Sequence, residues 1–159
     1  MRTAEVRSEG PFPDLALADP DGRPHSLAEA WRDGEALFLI GHGDCSTTRL
    51  AIPYADRIHR RKTRGVVVLV LQDDVEAARQ LSAEQGLCLP VRLEPDPFPL
   101  ARALDLGVVP ALVLVDREGR IDRVSVGFRR ADLEAFAARL GVVGTLFTPE
   151  DGAPQFRPG

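Results

Sequence analysis

The apolar residues of this chain fall into compact runs separated by segments of helical periodicity. Two runs, residues 36–40 and 66–71, are continuously apolar, which is typical of strands buried on both faces of a parallel sheet. Between them, residues 47–63 repeat apolar positions at helical spacing. A helix that joins two buried parallel strands forms a right-handed crossover. The pattern therefore predicts a central sheet with helices on both faces.

Shorter elements complete this pattern on either side. A strand is predicted at residues 14–18, and Ser26 is a candidate N-cap for a short helix at residues 27–32. The later elements follow in chain order: a helix at 75–85, a strand at 91–93, a brief helix at 99–104, strands at 111–115 and 120–126, and an amphipathic helix marked by Leu133, Phe136, Ala137 and Leu140. The turn at residues 116–119 joins the last two strands as a β-hairpin, so the sheet must be mixed.

Composition and charge fit one globular domain. The chain has 159 residues and is 44% hydrophobic, which suits a single α/β domain at residues 1–143. A Pro/Gly-rich tail follows at residues 144–159, and we expect it to be irregular or partly ordered. Its 20 basic residues are interspersed with 24 acidic ones, for a net charge of −4. The densest basic run, residues 59–64, suits the C-terminal turn of a helix. Nucleic acid is therefore not an expected partner.

The N-terminal residues and the cysteines indicate where in the cell the protein is located. The first residues lack the apolar core of an export signal, and no run approaches the length that spans a membrane. We therefore expect a cytoplasmic protein with no membrane partner, although a trimmed export signal would leave the same sequence. The two cysteines are too few for a disulfide framework, and in a reducing compartment they indicate core packing or redox chemistry.

The candidate chemistry centres on Cys45, which lies where the run 36–40 passes into the following helix. A sulfur there is beside the unpaired N–H groups of the helix N-terminus, and these groups favour a thiolate. One turn later, Thr48 either donates its hydroxyl to the sulfur or merely fills space. The carboxylate of Asp44 disfavours the thiolate unless it points to solvent.

The order of the elements, with a cysteine at the first strand-to-helix junction, resembles the thioredoxin-like superfamily. The closer likeness is to its branch of TlpA/ResA-type thiol-disulfide oxidoreductases and alkyl hydroperoxide reductase/thiol-specific antioxidant proteins. The likeness runs from about Pro13 to Leu140. The matching motifs occur in order: Phe12-Pro13-Asp14-Leu15, Asp21-Gly22-Arg23-Pro24-His25-Ser26-Leu27, Pro53, Val108-Val109-Pro110-Ala111 and Asp116-Arg117-Glu118-Gly119-Arg120. The resemblance implies a thioredoxin-like fold with an N-terminal β-hairpin extension and a short αβ insert.

The resemblance also implies roles for individual residues. Cys45 corresponds to the nucleophilic cysteine, and Val109 and Pro110 to the cis-proline loop that faces it and binds an extended substrate backbone. Thr48 stands where dithiol members carry their second cysteine, so this motif cannot resolve a mixed disulfide. We expect resolution by an external thiol. Cys88 is the alternative, but a buried, inert thiol is its favoured interpretation.

His42 and Arg49 are candidate accessory residues. The imidazole of His42 could stabilise or deprotonate the Cys45 thiol, or it could be an ordinary exposed loop side chain. No further Cys/His cluster completes a coordination shell around His42, Asp44 and Cys45, so no metal or cofactor is expected. Thiol peroxidases of the superfamily normally have Thr or Ser at the position of His42 and an arginine near the later strand. Arg49 would replace that arginine only in part.

Three functions follow from these residues. The preferred one is a cytoplasmic monothiol protein of thiol-disulfide chemistry, with a protein or low-molecular-weight thiol or disulfide as partner. The second is a peroxiredoxin-like thiol peroxidase that uses Cys45. The third is a binding module that keeps the fold without redox turnover. We expect a monomer or weak dimer in each case.

Overall fold

A seven-stranded mixed sheet lies at the centre of the protein, whose computed structural model describes residues 6–159. Its strands, in chain order, are β1 (Ala16–Ala18), β2 (Pro24–Ser26), β3 (Ala36–Gly41), β4 (Val66–Leu71), β5 (Val91–Leu93), β6 (Ala111–Val115) and β7 (Ile121–Val126). Their spatial order is β2-β1-β5-β4-β3-β6-β7. β3, β4 and β5 are parallel, whereas β6 runs antiparallel to both β3 and β7.

Helices cover both faces of this sheet. They are α1 (Ser46–Arg61), α2 (Val75–Gln85), α3 (Pro99–Ala103) and α4 (Arg130–Arg139), with a 3-10 helix at Leu27–Trp31. Alternate residues of β3 and β4 pack against α1, α2 and α4 on one face, and against α3 and the 3-10 helix on the other. Within residues 6–159, none of the helices combines the length and apolar character needed to cross a membrane.

The elements expected from the sequence are confirmed, with boundaries that agree within two residues. β3 and β4 are buried along nearly their whole length, as continuous apolar runs require. The Ser26 hydroxyl accepts a hydrogen bond from the amide of Ala28 and so caps the first short helix. β1 and β2 form the N-terminal hairpin, and β6 and β7 form the second one.

The tail at residues 144–159, expected to be irregular or partly ordered, is partly ordered. This segment contains a 3-10 turn at Pro149–Asp151 and a short strand, β9 (Phe156–Arg157), that pairs antiparallel with β8 (Phe128–Arg129). Its Pro and Gly residues lie at turns between short segments, and specific contacts hold these segments in place.

An aromatic contact and an ion pair hold the tail against α1. The buried ring of Phe147 lies 4.4 Å, between centroids, from the ring of Tyr54. Arg57 donates to the carboxylate of Asp151 at 2.8 Å and to the carbonyl oxygen of Leu146 at 2.8 Å. These contacts direct the rest of the tail towards the N-terminal end of α1.

Candidate active site

Cys45 is the N-cap of α1, immediately beyond the loop that follows β3. Its side chain is partly exposed and makes no capping hydrogen bond to the helix. The Sγ atom lies 3.6 Å from the carbonyl oxygen of Val109, to which the thiol donates. The Val109–Pro110 peptide bond is cis. The structure therefore brings together the cysteine and the two loop residues that the sequence singled out.

The surroundings of Cys45 favour its ionised form. Partial burial by itself raises the pKa of the thiol. Once ionised, the sulfur is stabilised by the hydroxyl and amide of Thr48, by the amide of Thr47 and by the positive charge of Arg157, and these effects outweigh burial and leave the pKa of the thiol below its ordinary value. Since a thiolate is the attacking form of cysteine, this environment prepares Cys45 for nucleophilic attack.

Thr48 is fully buried directly beneath the sulfur, and Gly41 provides the room for it. A β-carbon at Gly41 would collide with the Thr48 methyl group and would lie 2.8 Å from its hydroxyl oxygen. That oxygen accepts a weak hydrogen bond from the amide of His42 at 3.4 Å, which leaves the hydroxyl hydrogen free to donate to Cys45. Thr48 therefore fills the space beneath the sulfur, and its hydroxyl also lowers the pKa of the Cys45 thiol.

The imidazole of His42 is bound within its own loop. Its Nδ1 atom lies 3.0 Å from the amide nitrogen of Asp44 and 3.3 Å from a carboxylate oxygen of Asp73. The same carboxylate accepts from the amide of Gly43 at 3.0 Å. These contacts fix the loop that precedes Cys45, and His42 makes no hydrogen bond to the sulfur in the part of the chain that the structure describes.

The charged groups of Asp44 and Arg49, both near Cys45 in sequence, also point away from its sulfur. Arg49 donates to the carbonyl oxygen of Gly43 at 2.5 Å and lies 3.6 Å from a carboxylate oxygen of Glu84. The side chain of Asp44 is 97% exposed, so solvent screens its charge. The cation that acts on Cys45 is instead Arg157, from the tail.

The expected burial of Cys88 was wrong. It is exposed rather than buried, because Asp56 of α1 accepts hydrogen bonds from the amides of Cys88 and Leu89 and fixes the backbone with the thiol outwards. Asp56 is eleven residues along α1 from Cys45, or about 16 Å along the axis at a rise of about 1.5 Å per residue. A disulfide needs Cα atoms within about 7 Å, so Cys88 cannot resolve a Cys45 disulfide in this fold.

The tail contributes site residues that sequence reasoning missed. Arg157 donates from Nη2 to the hydroxyl oxygen of Ser46 at 2.9 Å, and Thr47 donates its hydroxyl to the carbonyl oxygen of Pro158 at 2.6 Å. These partners are 111 residues apart in the chain. The local signal in this Pro/Gly-rich segment is the pair Phe156-Arg157, a large ring followed by a cation.

A polar cavity adjoins the loop before Cys45. It has a volume of about 370 Å³ and is lined in part by His42, Arg49, Gln72 and Asp73. Within residues 6–159, no three His, Cys, Asp or Glu side chains are grouped so as to hold a metal ion.

Comparisons with known proteins identify the architecture. No family model and no curated protein sequence matches the chain. Among solved structures, it is similar to a putative thiol:disulfide interchange protein DsbE from Chlorobium tepidum, with a TM-score of 0.75, 24% identity, and coverage of 88% of this chain and 100% of that one. A putative protein disulfide isomerase from Bacteroides thetaiotaomicron gives a TM-score of 0.74 at 18% identity, over 86% of this chain and 89% of that one.

A peroxidoxin is also among the solved structures with a similar fold. Peroxidoxin BcpB from Mycobacterium tuberculosis gives a TM-score of 0.69 at 15% identity and covers 89% of this chain and 100% of that one. At these identities the likeness is one of fold. The expected thioredoxin fold, with a mixed sheet flanked by helices, is therefore confirmed.

Proposed function

We propose that this thioredoxin-fold chain is a monothiol redox protein in which Cys45 attacks disulfides. The observation that carries the proposal is the position of the sulfur at the N-terminus of α1, where Thr47, Thr48 and Arg157 lower the pKa of the thiol. The names of the solved structures with the same fold, a thiol:disulfide interchange protein and a protein disulfide isomerase, agree with this chemistry.

The proposed reaction has two exchange steps. The Cys45 thiolate attacks one sulfur of a substrate disulfide, forms a new S–S bond with it and releases the other sulfur as a thiolate. An external thiolate then attacks the substrate sulfur of this mixed disulfide, forms a disulfide with it and returns Cys45 as a thiolate. The net reaction transfers the substrate's half-disulfide to the external thiol, and electrons balance without a cofactor.

An external thiol is required because this chain offers no resolving cysteine near Cys45. Thr48 occupies the position one helical turn after Cys45. Cys88 is bound to Asp56, near the opposite end of α1. The proposal places the cycle in the cytoplasm, where thiols are kept reduced, with a low-molecular-weight thiol as the partner and the chain acting as a monomer.

The two cysteines allow an internally matched test. In the Cys88→Ser variant, a small neutral disulfide should add one half-disulfide to Cys45 at pH 6, and an excess of external thiol should remove it, as followed by intact-protein mass spectrometry. In the Cys45→Ser variant, the exposed Cys88 provides an ordinary surface thiol of the same chain. We expect Cys45 to react at least tenfold faster than Cys88. Equal rates would contradict the proposal and leave the binding module.

A peroxidase is the second candidate, and Arg157 is the observation that favours it. Peroxide cleavage leaves an alkoxide or hydroxide, which a nearby cation stabilises. In this reaction the Cys45 thiolate takes the terminal oxygen of the peroxide to become a sulfenic acid, and the remaining oxygen leaves as the anion. Complete conversion of Cys45 to sulfenic acid by micromolar peroxide, ahead of its reaction with the disulfide, would place this function first.

A further inference from the structure

The last residues of the described chain form an extended segment that is bound along β8 and the start of α4. β9 pairs with β8, and the carbonyl oxygen of Gln155 accepts from the amide of Arg130 at 3.0 Å. The guanidinium of Arg129 lies 4.5 Å from the centroid of the Phe156 ring. We name residues 155–159 the strap.

The strap lies against both parts of the candidate site. On the α1 side, Pro158 accepts the hydrogen bond from Thr47, and Arg157 donates to Ser46. On the loop side, Gly159 is so close to Val109 that a β-carbon added to it would collide with the Val109 carbonyl oxygen. That carbonyl oxygen is the one in contact with the Cys45 sulfur. The strap therefore fills the cleft between α1 and the loop, beside Cys45.

This placement limits what can reach the sulfur. A polypeptide bound in extended form gains affinity from main-chain hydrogen bonds to exposed backbone beside the residue that reacts. On the strap side of Cys45, the strap already uses the hydroxyl of Thr47 and fills the space against Val109. Cys45 is nevertheless partly exposed, so a molecule that needs only room around one S–S bond can still approach it.

The charge of the strap adds a preference among small molecules. Arg157 is exposed and reaches the first turn of α1, and in the described chain its single side-chain hydrogen bond goes to the neutral Ser46 hydroxyl. Without a carboxylate on it, this guanidinium attracts an anion that approaches Cys45 and repels a cation.

From these contacts we infer that the strap makes Cys45 selective for small anionic disulfides and excludes extended polypeptides in the folded state. The inference rests on the proposed function and specifies the substrate class of that same site.

The test compares four disulfides in the Cys88→Ser background. They are a dianionic aromatic disulfide bearing carboxylates, the dicationic cystamine, the neutral bis(2-hydroxyethyl) disulfide, and a peptide of about ten residues joined through its cysteine to a small thiol. Second-order rate constants for adduct formation on Cys45 are measured by mass spectrometry. Each is divided by the rate constant with the neutral disulfide, so that changes in intrinsic thiol reactivity cancel.

The double variant Thr47→Val/Phe156→Ala loosens the strap without removing Arg157. Phe156 is half-exposed and valine keeps the shape of threonine, so we expect the fold to survive. The normalised peptide rate should rise about tenfold, and the remote Thr63→Val variant should not change it. An unchanged peptide rate in a folded double variant would overturn the strap as a barrier.

The variant Arg157→Gln tests the charge separately and leaves the strap's backbone contacts in place. The ratio of the dianionic to the dicationic rate should fall about fivefold, because a unit charge about 8 Å away in water changes the two rates by roughly twofold each, in opposite directions. An unchanged ratio would overturn the charge preference. If Cys45 reacts no faster than Cys88 with the neutral disulfide, the proposed function fails, an outcome distinct from failure of the strap inference.

Discussion

Replacement of Thr48 by valine tests how the site makes a thiolate. Valine has nearly the shape of threonine, so Thr48→Val keeps the packing against Gly41 and removes the hydroxyl that stabilises the Cys45 thiolate. The amide donors of Thr47 and of residue 48 remain. The substitution also removes the acceptor of the His42 amide, but that hydrogen bond is long, at 3.4 Å.

The size of the effect follows from the energy of a hydrogen bond to a charged acceptor, which is about 1.5–3 kcal/mol. Sulfur is a weak acceptor and Cys45 is partly exposed, so we use the lower end. About 1.4 kcal/mol lowers the thiolate fraction of Cys45 at acid pH about tenfold. The more basic thiolate is about threefold more nucleophilic, because the Brønsted coefficient is about 0.4–0.5. The rate at acid pH should therefore fall only about threefold.

At high pH, where both proteins are fully ionised, the same argument predicts that Thr48→Val reacts about threefold faster than the parent. Stopped-flow kinetics with a neutral aliphatic disulfide, from pH 5 to pH 10 in the Cys88→Ser background, should show the two profiles crossing. Thr63→Val, a threonine substitution at the far end of α1, is the matched control. A uniform slowing at every pH would indicate a steric effect, and identical profiles would show that Thr48 only fills space.

Two predictions concern stability. Gly41→Ala places a methyl group against Thr48, and such overpacking should lower the free energy of unfolding in urea by about 1–3 kcal/mol; an unchanged stability would contradict the tight packing. The hydrogen bond from Arg57 holds the pKa of Asp151 well below its usual range, so its stabilising effect is present above the unfolded-state pKa and is lost as the pH falls. The advantage of the parent over Asp151→Asn should thus be constant at neutral pH and shrink below about pH 4, whereas a pH-independent difference would be inconsistent with this ion pair.

The sheet could be predicted from the sequence because strands buried on both faces are continuously apolar, and such runs are visible locally. The apolar runs that became β3 and β4 have no polar face, which left few alternatives to a sheet covered on both sides. The position of Cys45 followed in the same way from a strand running into a helix, and the position of Thr48 below the sulfur followed from the spacing of one helical turn.

The strap could not be predicted, because its contacts are long-range and irregular. Arg157 reaches Ser46 across 111 residues, and no periodicity of the sequence signals such a pairing. For Cys88, the flanking apolar residues suggested burial. Cys88 is exposed instead, because the hydrogen bond from its amide to Asp56 fixes the backbone with the thiol towards solvent.

The surroundings of Cys45 lower the pKa of its thiol and so make it a better nucleophile than an ordinary cysteine. The most direct measurement is the pH dependence of Cys45 alkylation in the Cys88→Ser variant, beside that of Cys88 in the Cys45→Ser variant. The account predicts that the Cys45 profile rises at a lower pH than the Cys88 profile, because the Thr48 and Thr47 donors and Arg157 favour its charged form. Two superimposable profiles, or a Cys45 profile that rises at the higher pH, would contradict it.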